Sequence, residues 1–335
     1  MRTRGMISIG RQTSFSYHRS GWAYAIEALR EENDDDGVYF DGFLDRTFNR
    51  LQNPRFEQEL PLRRPWTGFF HNPFGFPEWF REGPMIASMI QSDQFRESLK
   101  HCVGLLTVSG ELAQNLRAKL DVPVSSLIHP TEIPQTLFNF EAFLSNPEKK
   151  IISIGWWLRR TLSIYYLPLD RTSPYRKARL KLGDQLTETT RRGLARIEFV
   201  KEWSNRRLEP RFKENTQELP YLPNLEFDGL LSNNLVYLDL FAAGANNAVV
   251  ECIARGTPLL VNPLPAVVEY LGQDYPLYFS TLEEAASKAC DFDLVARAHL
   301  HLMKGPTRRR LSQESFLRDF RQSEVYQLLR RTVSR

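Results

Sequence analysis

Short apolar runs alternate with amphipathic stretches along most of this chain. Residues 6–10 (MISIG) form an apolar run closing on glycine. The polar stretch RQTSFSYHRSG separates it from residues 22–29, where apolar side chains recur at helical spacing. Residues 38–43 and 67–71 read as strands, 84–99 as a helix and 103–108 as a strand. Ser109 then caps a predicted helix over 111–120, and a strand over 122–128 stops at His129-Pro130. Strand then helix, repeated, predicts a mainly parallel sheet. The polar break 146–150 (NPEKK) closes this half, and residues 151–155 (IISIG) restart the pattern. The expected domains are therefore 1–147 and 148–310. A C-terminal helix over 311–335 packs back on the body through Phe316, Phe320, Val325, Leu328 and Leu329.

Within the second half, residues 156–166 read as a core strand followed by an amphipathic helix. Residues 170–222 are highly charged, with amphipathic helices expected around 185–207. Residues 224–230 read as a strand. The most informative stretch is 238–279. Its GANN turn leads into a helix carrying Glu251, Gly256 ends that helix, and residues 258–261 read as a buried strand. A Pro-opened helix carries Glu269, and the strand-like YPLYF follows. This alternation is that of a doubly wound α/β unit, in which ligands sit outside the carboxyl ends of the strands. Residues 282–290 and 294–303 read as helices.

Composition narrows the class. A chain of 335 residues suits about two domains. Apolar content of 42% and charged content of 25% are globular values. A net charge of +4 argues against a dedicated nucleic-acid binder, so no nucleic-acid partner is expected. Cys102, Cys252 and Cys290 are few and sit in apolar contexts, as reduced core residues of a cytoplasmic protein do. The N-terminus lacks a signal-peptide pattern, and no run approaches the ~18 apolar residues of a membrane span. The basic, aromatic stretch 156–166 leaves peripheral membrane association open. The Asp34-Asp35-Asp36 run lies in a charged loop, and His299 and His301 have no acidic or thiol neighbours at ligand spacing, so no metal or other cofactor is expected.

Four local patterns resemble the GT-B glycosyltransferases, in particular the retaining group of nucleotide-sugar enzymes. CVGLLTVSGELAQNLR (102–117) resembles the strand that ends in Ser before a helix opening on an acidic residue. His71 stands where the family has a strand-end His. NNAVVECIARGTPLLV (246–261) resembles the glutamate helix followed by Gly-Thr-Pro and a strand. The Arg19-Ser20-Gly21 loop stands where the group has a glycine-rich turn. The resemblance covers most of the chain outside 160–222. It implies an α/β fold of two Rossmann-like domains with parallel sheets facing across a cleft. It also implies transfer of a sugar from a nucleotide-diphosphate donor, held mainly by the C-terminal domain, to a glycan, lipid-linked or protein acceptor. Such enzymes usually need no bound metal.

The same resemblance assigns roles. Glu251 accepts hydrogen bonds from the donor's ribose diol, a task suited to an acceptor-only carboxylate. Arg159 and Arg160 clamp the diphosphate, for which the guanidinium fork is suited. Gly244, Asn246 and Asn247 face donor oxygens at a helix start, where capping and anion binding predict the same residues. His71 holds the transferred sugar, Glu269 takes a donor hydroxyl, and Ser20, Gly21 and His18 approach the acceptor side. Two departures stand out. Ala243 occupies the position, eight before Glu251, where the retaining group has a second Glu, which puts retention in doubt. Trp156 stands directly after Gly155, where the family more often has the Arg. Two alternatives follow: a nucleotide-sugar epimerase of the same fold, and a non-catalytic scaffold or partner subunit.

Overall fold

The computed structural model describes residues 5–10, 20–49, 60–76, 86–170, 172–180 and 215–334. The chain divides into two compact units. Unit 1 comprises Met1–Phe76, Gly83–Glu132 and Arg309–Arg335; unit 2 comprises Pro77–Glu82 and Ile133–Arg308.

Unit 1 is built on five parallel strands: β1 (Ile7–Ile9), β2 (Val38–Asp41), β3 (Trp66–Phe70), β4 (Cys102–Thr107) and β5 (Val124–Ser126). They are paired in sequence order. Helices α1 (Trp22–Leu29), α2 (Leu44–Thr47), α3 (Ile86–Met89), α4 (Asp93–Leu99) and α5 (Gly110–Arg117) connect or flank them. Tyr39, Leu44, Trp66, Phe70, Phe95, Leu105, Leu112 and Leu116 form one apolar core. The single helix expected over 84–99 is two, because the Ser92 hydroxyl takes the Phe95 N–H and starts α4 afresh. Ser109 caps α5 through the Leu112 N–H.

Unit 2 carries β6 (Lys150–Ser153), β7 (Arg176–Leu180), β8 (Thr216–Leu219), β9 (Leu235–Leu238) and β10 (Leu259–Val261), all parallel, in the order β10-β9-β6-β7-β8. Strands β9 and β10 are buried throughout, as the uninterrupted apolar runs LVYL and LLV require of a strand covered on both faces. Around them lie α6 (Phe140–Ser145), α7 (Ser163–Tyr166), α8 (Asn224–Leu231), α9 (Asn247–Arg255), α10 (Pro265–Leu271), α11 (Leu282–Cys290), α12 (Phe292–Lys304) and α13 (Pro306–Arg309). Gly256 ends α9 in the left-handed region at φ 71°. Two C-terminal helices, α14 (Gln313–Gln322) and α15 (Glu324–Val333), belong to unit 1.

Several expectations are corrected. Residues 224–231 are helix, not strand: Asp228 and Leu231, three apart, share the buried face, while Leu225 points out at 77% exposure. Strand β9, a few residues on, takes the sheet position. YPLYF forms only a bridge, Val261 with Tyr278, beside β10. Residues 156–162 make a turn, not a strand, and lead to the short α7. The unit boundary falls at 132/133 rather than 147/148. Residues 138–146 bond to unit 2: Phe138 N–H donates to Arg255 O, Asn139 N–H to Ser232 O and Asn146 Nδ2 to Asn233 O, while Phe143 stacks near Tyr175. The tail is two helices, split where Ser323 closes α14 and caps α15. Of the cysteines, which are all unbridged, Cys252 is buried, Cys102 half-buried and Cys290 exposed. The helices expected around 185–207 lie outside the described residues.

Candidate functional site

The strand order of unit 2 reverses between β6 and β9. At such a switch point the chain leaves adjacent strands in opposite directions, and the crevice at their carboxyl ends is where open α/β sheets bind ligands. The loops after β6 and β9 fill that position and are stitched together. Arg159 pairs with Leu240 in an antiparallel bridge, Arg160 N–H donates to Asp239 O at 2.7 Å, and Phe241 N–H donates to Leu158 O at 3.1 Å. Asn262, just past β10, ties the third strand end in: its amide exchanges two 2.8 Å hydrogen bonds with the Leu240 backbone.

Arg159 is the buried cation of this cluster, 8% exposed. Its Nη1 donates to Trp157 O at 2.9 Å and its Nη2 to Asn246 Oδ1 at 3.0 Å, while Nε has no hydrogen-bond partner among the described residues. Both acceptors are neutral. Asn246 is also the N-cap of α9, its Oδ1 accepting the Ala248 N–H at 3.1 Å. One oxygen therefore serves both the helix start and the guanidinium. A cation beside the positive end of a helix is unfavourable by itself and favourable once an anion sits there. Burial pulls the Arg159 guanidinium down to about 10, with the Glu251 charge opposing; it remains a cation at neutral pH. Gly155 makes room for it: at φ 71°, it sits where an added Cβ would lie 2.8 Å from Arg159 Cζ. Arg160 is more exposed and paired, its Nη1 2.9 Å from both Asp239 Oδ1 and Leu240 O.

Gly244 is buried in the loop before α9 and Asn247 is half-buried at its first turn. Ala243 is buried as well, with no polar side chain to offer. Glu251, one turn into α9, is 5% exposed. Its Oε2 lies 3.5 Å from Arg255 Nη1. Arg255 is fully buried and forks onto Asp228 Oδ1 through Nε at 3.0 Å and through Nη2. Glu269 stands apart from this cluster: it is exposed on α10 and lines a groove of about 610 Å³ with Tyr270, Arg297, His301 and Lys304. His299 and His301 bond to Gly256 O and Leu271 O, closing the ends of helices.

In unit 1, His71 follows β3 directly. Its N–H donates to Asp45 Oδ2 at 2.8 Å, and its Nε2 lies 2.8 Å from Gly42 O, so the ring proton sits on Nε2 and Nδ1 is the acceptor. The ring stacks on Phe43 (centroids 4.2 Å apart) and meets Trp22 edge-on at 4.3 Å. Burial drives its pKa down to about 3, keeping it neutral. Asp45, buried and holding the Asn72 backbone and side-chain N–H groups, is raised to about 6 by burial, those hydrogen bonds opposing. Ser20 is buried, and its carbonyl takes the proton of His129 Nε2 at 2.8 Å. Gly21 is the N-cap of α1 and gives it no side-chain cap. His18 lies outside the described residues.

The structure thus brings Arg159, Arg160, Asn246, Asn247 and Gly244 to one switch point and sets Glu269 in the groove between α10 and α12. Sequence reasoning missed Asp228, Asp239, Arg255 and Asn262. Arg255 was readable as the i+4 partner of Glu251 on one helix face; Asp228 was hidden by its assignment to a strand.

No protein-family model and no curated protein matches the chain. Among solved structures, it is similar to the α,α-trehalose-6-phosphate synthase of Burkholderia multivorans, at a TM-score of 0.63 and 13% identity over 99% of this chain and 97% of that one. A UDP-forming α,α-trehalose-phosphate synthase from Burkholderia xenovorans gives 0.57 and 16% identity, over 93% and 78%. The sucrose-phosphate synthase of Thermosynechococcus elongatus gives 0.58 and 11%, over 80% and 68%. These neighbours are GT-B glycosyltransferases, and the chain has their fold: an α/β architecture on two parallel five-stranded sheets. Among the described residues no helix is long and apolar enough to cross a membrane.

Proposed function

We propose that the chain is a glycosyltransferase that takes its sugar from a nucleotide-diphosphate donor. The observation that carries this reading is the buried Arg159, held against the start of α9 at the switch point of unit 2 with its Nε unpartnered among the described residues. A diphosphate would meet that cation, the first N–H groups of α9 and the more exposed Arg160. The donor's sugar would lie against Gly244 and Asn247, and Glu251 would accept from the ribose diol. In unit 1, His71, neutral and with Nδ1 as acceptor, is suited to take a hydrogen bond from a sugar hydroxyl. Structural neighbours whose names describe UDP-forming sugar transfer support the donor class.

The proposed step breaks the anomeric C–O bond with its electron pair leaving on the diphosphate. The acceptor oxygen bonds to the anomeric carbon, and its proton passes to a departing phosphate oxygen. This is retaining chemistry, described for the neighbouring trehalose-6-phosphate synthase, and it asks little of a protein base. Ala243 leaves the sugar side to backbone groups. It is also the specific observation that favours the second reading, a non-catalytic protein that kept the nucleotide grip. A cytoplasmic protein touching a membrane only at its surface fits the reading, with a glycan or glycoconjugate acceptor.

The test is a panel of nucleotide sugars followed by mass spectrometry of released nucleoside diphosphate, paired with calorimetry of UDP, GDP and ADP. Release with an acceptor extract supports transfer; conversion of the donor without acceptor indicates epimerisation; binding without turnover favours the non-catalytic reading. No binding by any of the three nucleotides overturns the proposal.

A further inference from the structure

Helix α9 carries a line of alternating charges along its buried side. Asp228, Arg255, Glu251 and Arg159 are each at most 8% exposed, and they run from the end of α9 to its start. Asp228 grips Arg255 with two hydrogen bonds to one oxygen, Arg255 Nη1 also donates to Glu251 O at 3.1 Å, and Nη1 lies 3.5 Å from Glu251 Oε2. Among the described residues Arg159 bonds only to neutral oxygens, yet it feels the Glu251 charge through the protein. Buried charges act on one another with little screening, so the sign of each member bears on the next.

We propose that Arg255 is a positioning residue for the anion site: pinned by Asp228, it draws the Glu251 carboxylate back along α9, so that Glu251 does not close onto Arg159 and Arg159 keeps its charge for an incoming diphosphate. This rests on the reading of Arg159 as a diphosphate ligand. With Arg255 gone, Arg159 is the other cation of the line that acts on the buried Glu251 carboxylate, and it is the one the diphosphate needs.

The probe is inorganic pyrophosphate, titrated calorimetrically into the full chain at pH 7.5, with circular-dichroism melts as the check on folding. Arg255→Gln removes the positive charge and Asp228→Asn removes the negative one, yet both break the same buried pair. The expected result is an affinity loss of about tenfold for Arg255→Gln, in the range of coupling between close charges. Binding by Asp228→Asn is expected to be as tight as wild type or tighter. Arg255→Lys should recover most of the loss, and adding Glu251→Gln to Arg255→Gln should restore it. A purely structural pair predicts equal losses in Arg255→Gln and Asp228→Asn and no rescue; either result overturns the inference. Should Arg255→Gln not fold, a tenfold loss in Asp228→Asn alone overturns it. Absence of pyrophosphate and nucleotide binding in the wild type would instead sink the reading of the site itself.

Discussion

Arg159 and Gly155 are inseparable at the residue scale. Replacing Arg159 by Met removes one charge-assisted hydrogen bond to the ligand, worth about 2 kcal/mol, so binding of a nucleoside diphosphate should weaken on the order of thirtyfold. The fold should persist, because both guanidinium acceptors, Trp157 O and Asn246 Oδ1, lie in loops that other hydrogen bonds also hold. Gly155→Ala should do harm twice over. A left-handed alanine costs about 1–2 kcal/mol, and its methyl would drive the guanidinium from its place, so melting temperature and anion affinity should fall together. Arg159 and Asn246 were legible in the sequence because each stands just past an apolar run, where a parallel sheet delivers its functional groups. The partners that set their charge were not: nothing in the local pattern of Asp228 tells that a residue 27 positions away, Arg255, is its counter-ion.

At the scale of the element, α9 shows how one cap serves stability and binding. Asn246→Ala should cost about 1 kcal/mol in denaturant unfolding, the usual worth of an N-cap. Asn246→Asp separates the two roles. Aspartate still caps α9 and adds an ion-pair partner for Arg159, so stability should hold or rise while nucleoside-diphosphate affinity drops; unchanged affinity would mean that Arg159 does not meet the ligand. Strands and helices with strong periodicity, such as Trp22–Leu29 and Leu282–Cys290, were legible to the residue. Residues 224–231 were not, because NLEFDGLL has too few apolar positions to separate a period of two from one of 3.6 until the burial of Asp228 settles which face is inside. The stretch 133–148 gave no clue to its allegiance either, since that is decided by hydrogen bonds to residues some 85 to 120 positions away, Ser232, Asn233 and Arg255.

For the whole molecule, the buried titratable groups of unit 1 set a response to acid. His71 and His129 are held at about 3 and about 4 by burial, below the ordinary 6.5. Their neutral forms stabilise the fold fully above pH 6.5, and that contribution is lost as pH falls toward 4, where the unfolded chain takes protons that the folded one refuses. Asp45, raised to about 6, works the other way: its burial cost eases as pH drops from 6 toward 3.8. At about 1.4 kcal/mol per unit of pKa displacement, the two histidines destabilise unit 1 between pH 6.5 and 4 by more than Asp45 offsets, with Asp41, also raised by burial, opposing them in the same sense as Asp45, so the melting temperature of unit 1 should fall over that range. Melting curves followed by tryptophan fluorescence across that range check this, and His129→Gln should flatten the acid limb. The tail also bears on the order of events during synthesis. Helices α14 and α15 complete unit 1: Arg321 and Tyr326 bond to Glu32, Gln313 to Tyr24 O, and Phe316 stands against Trp22 and Phe69. A ribosome delivers residues 133–308 before Gln313, Phe316, Arg321 and Tyr326, so unit 2 can close while the first five strands still wait for their last partners. Nascent chains should therefore become protease-resistant from the middle outward, and a late stop codon would release a protein whose first-made half is the unfinished one.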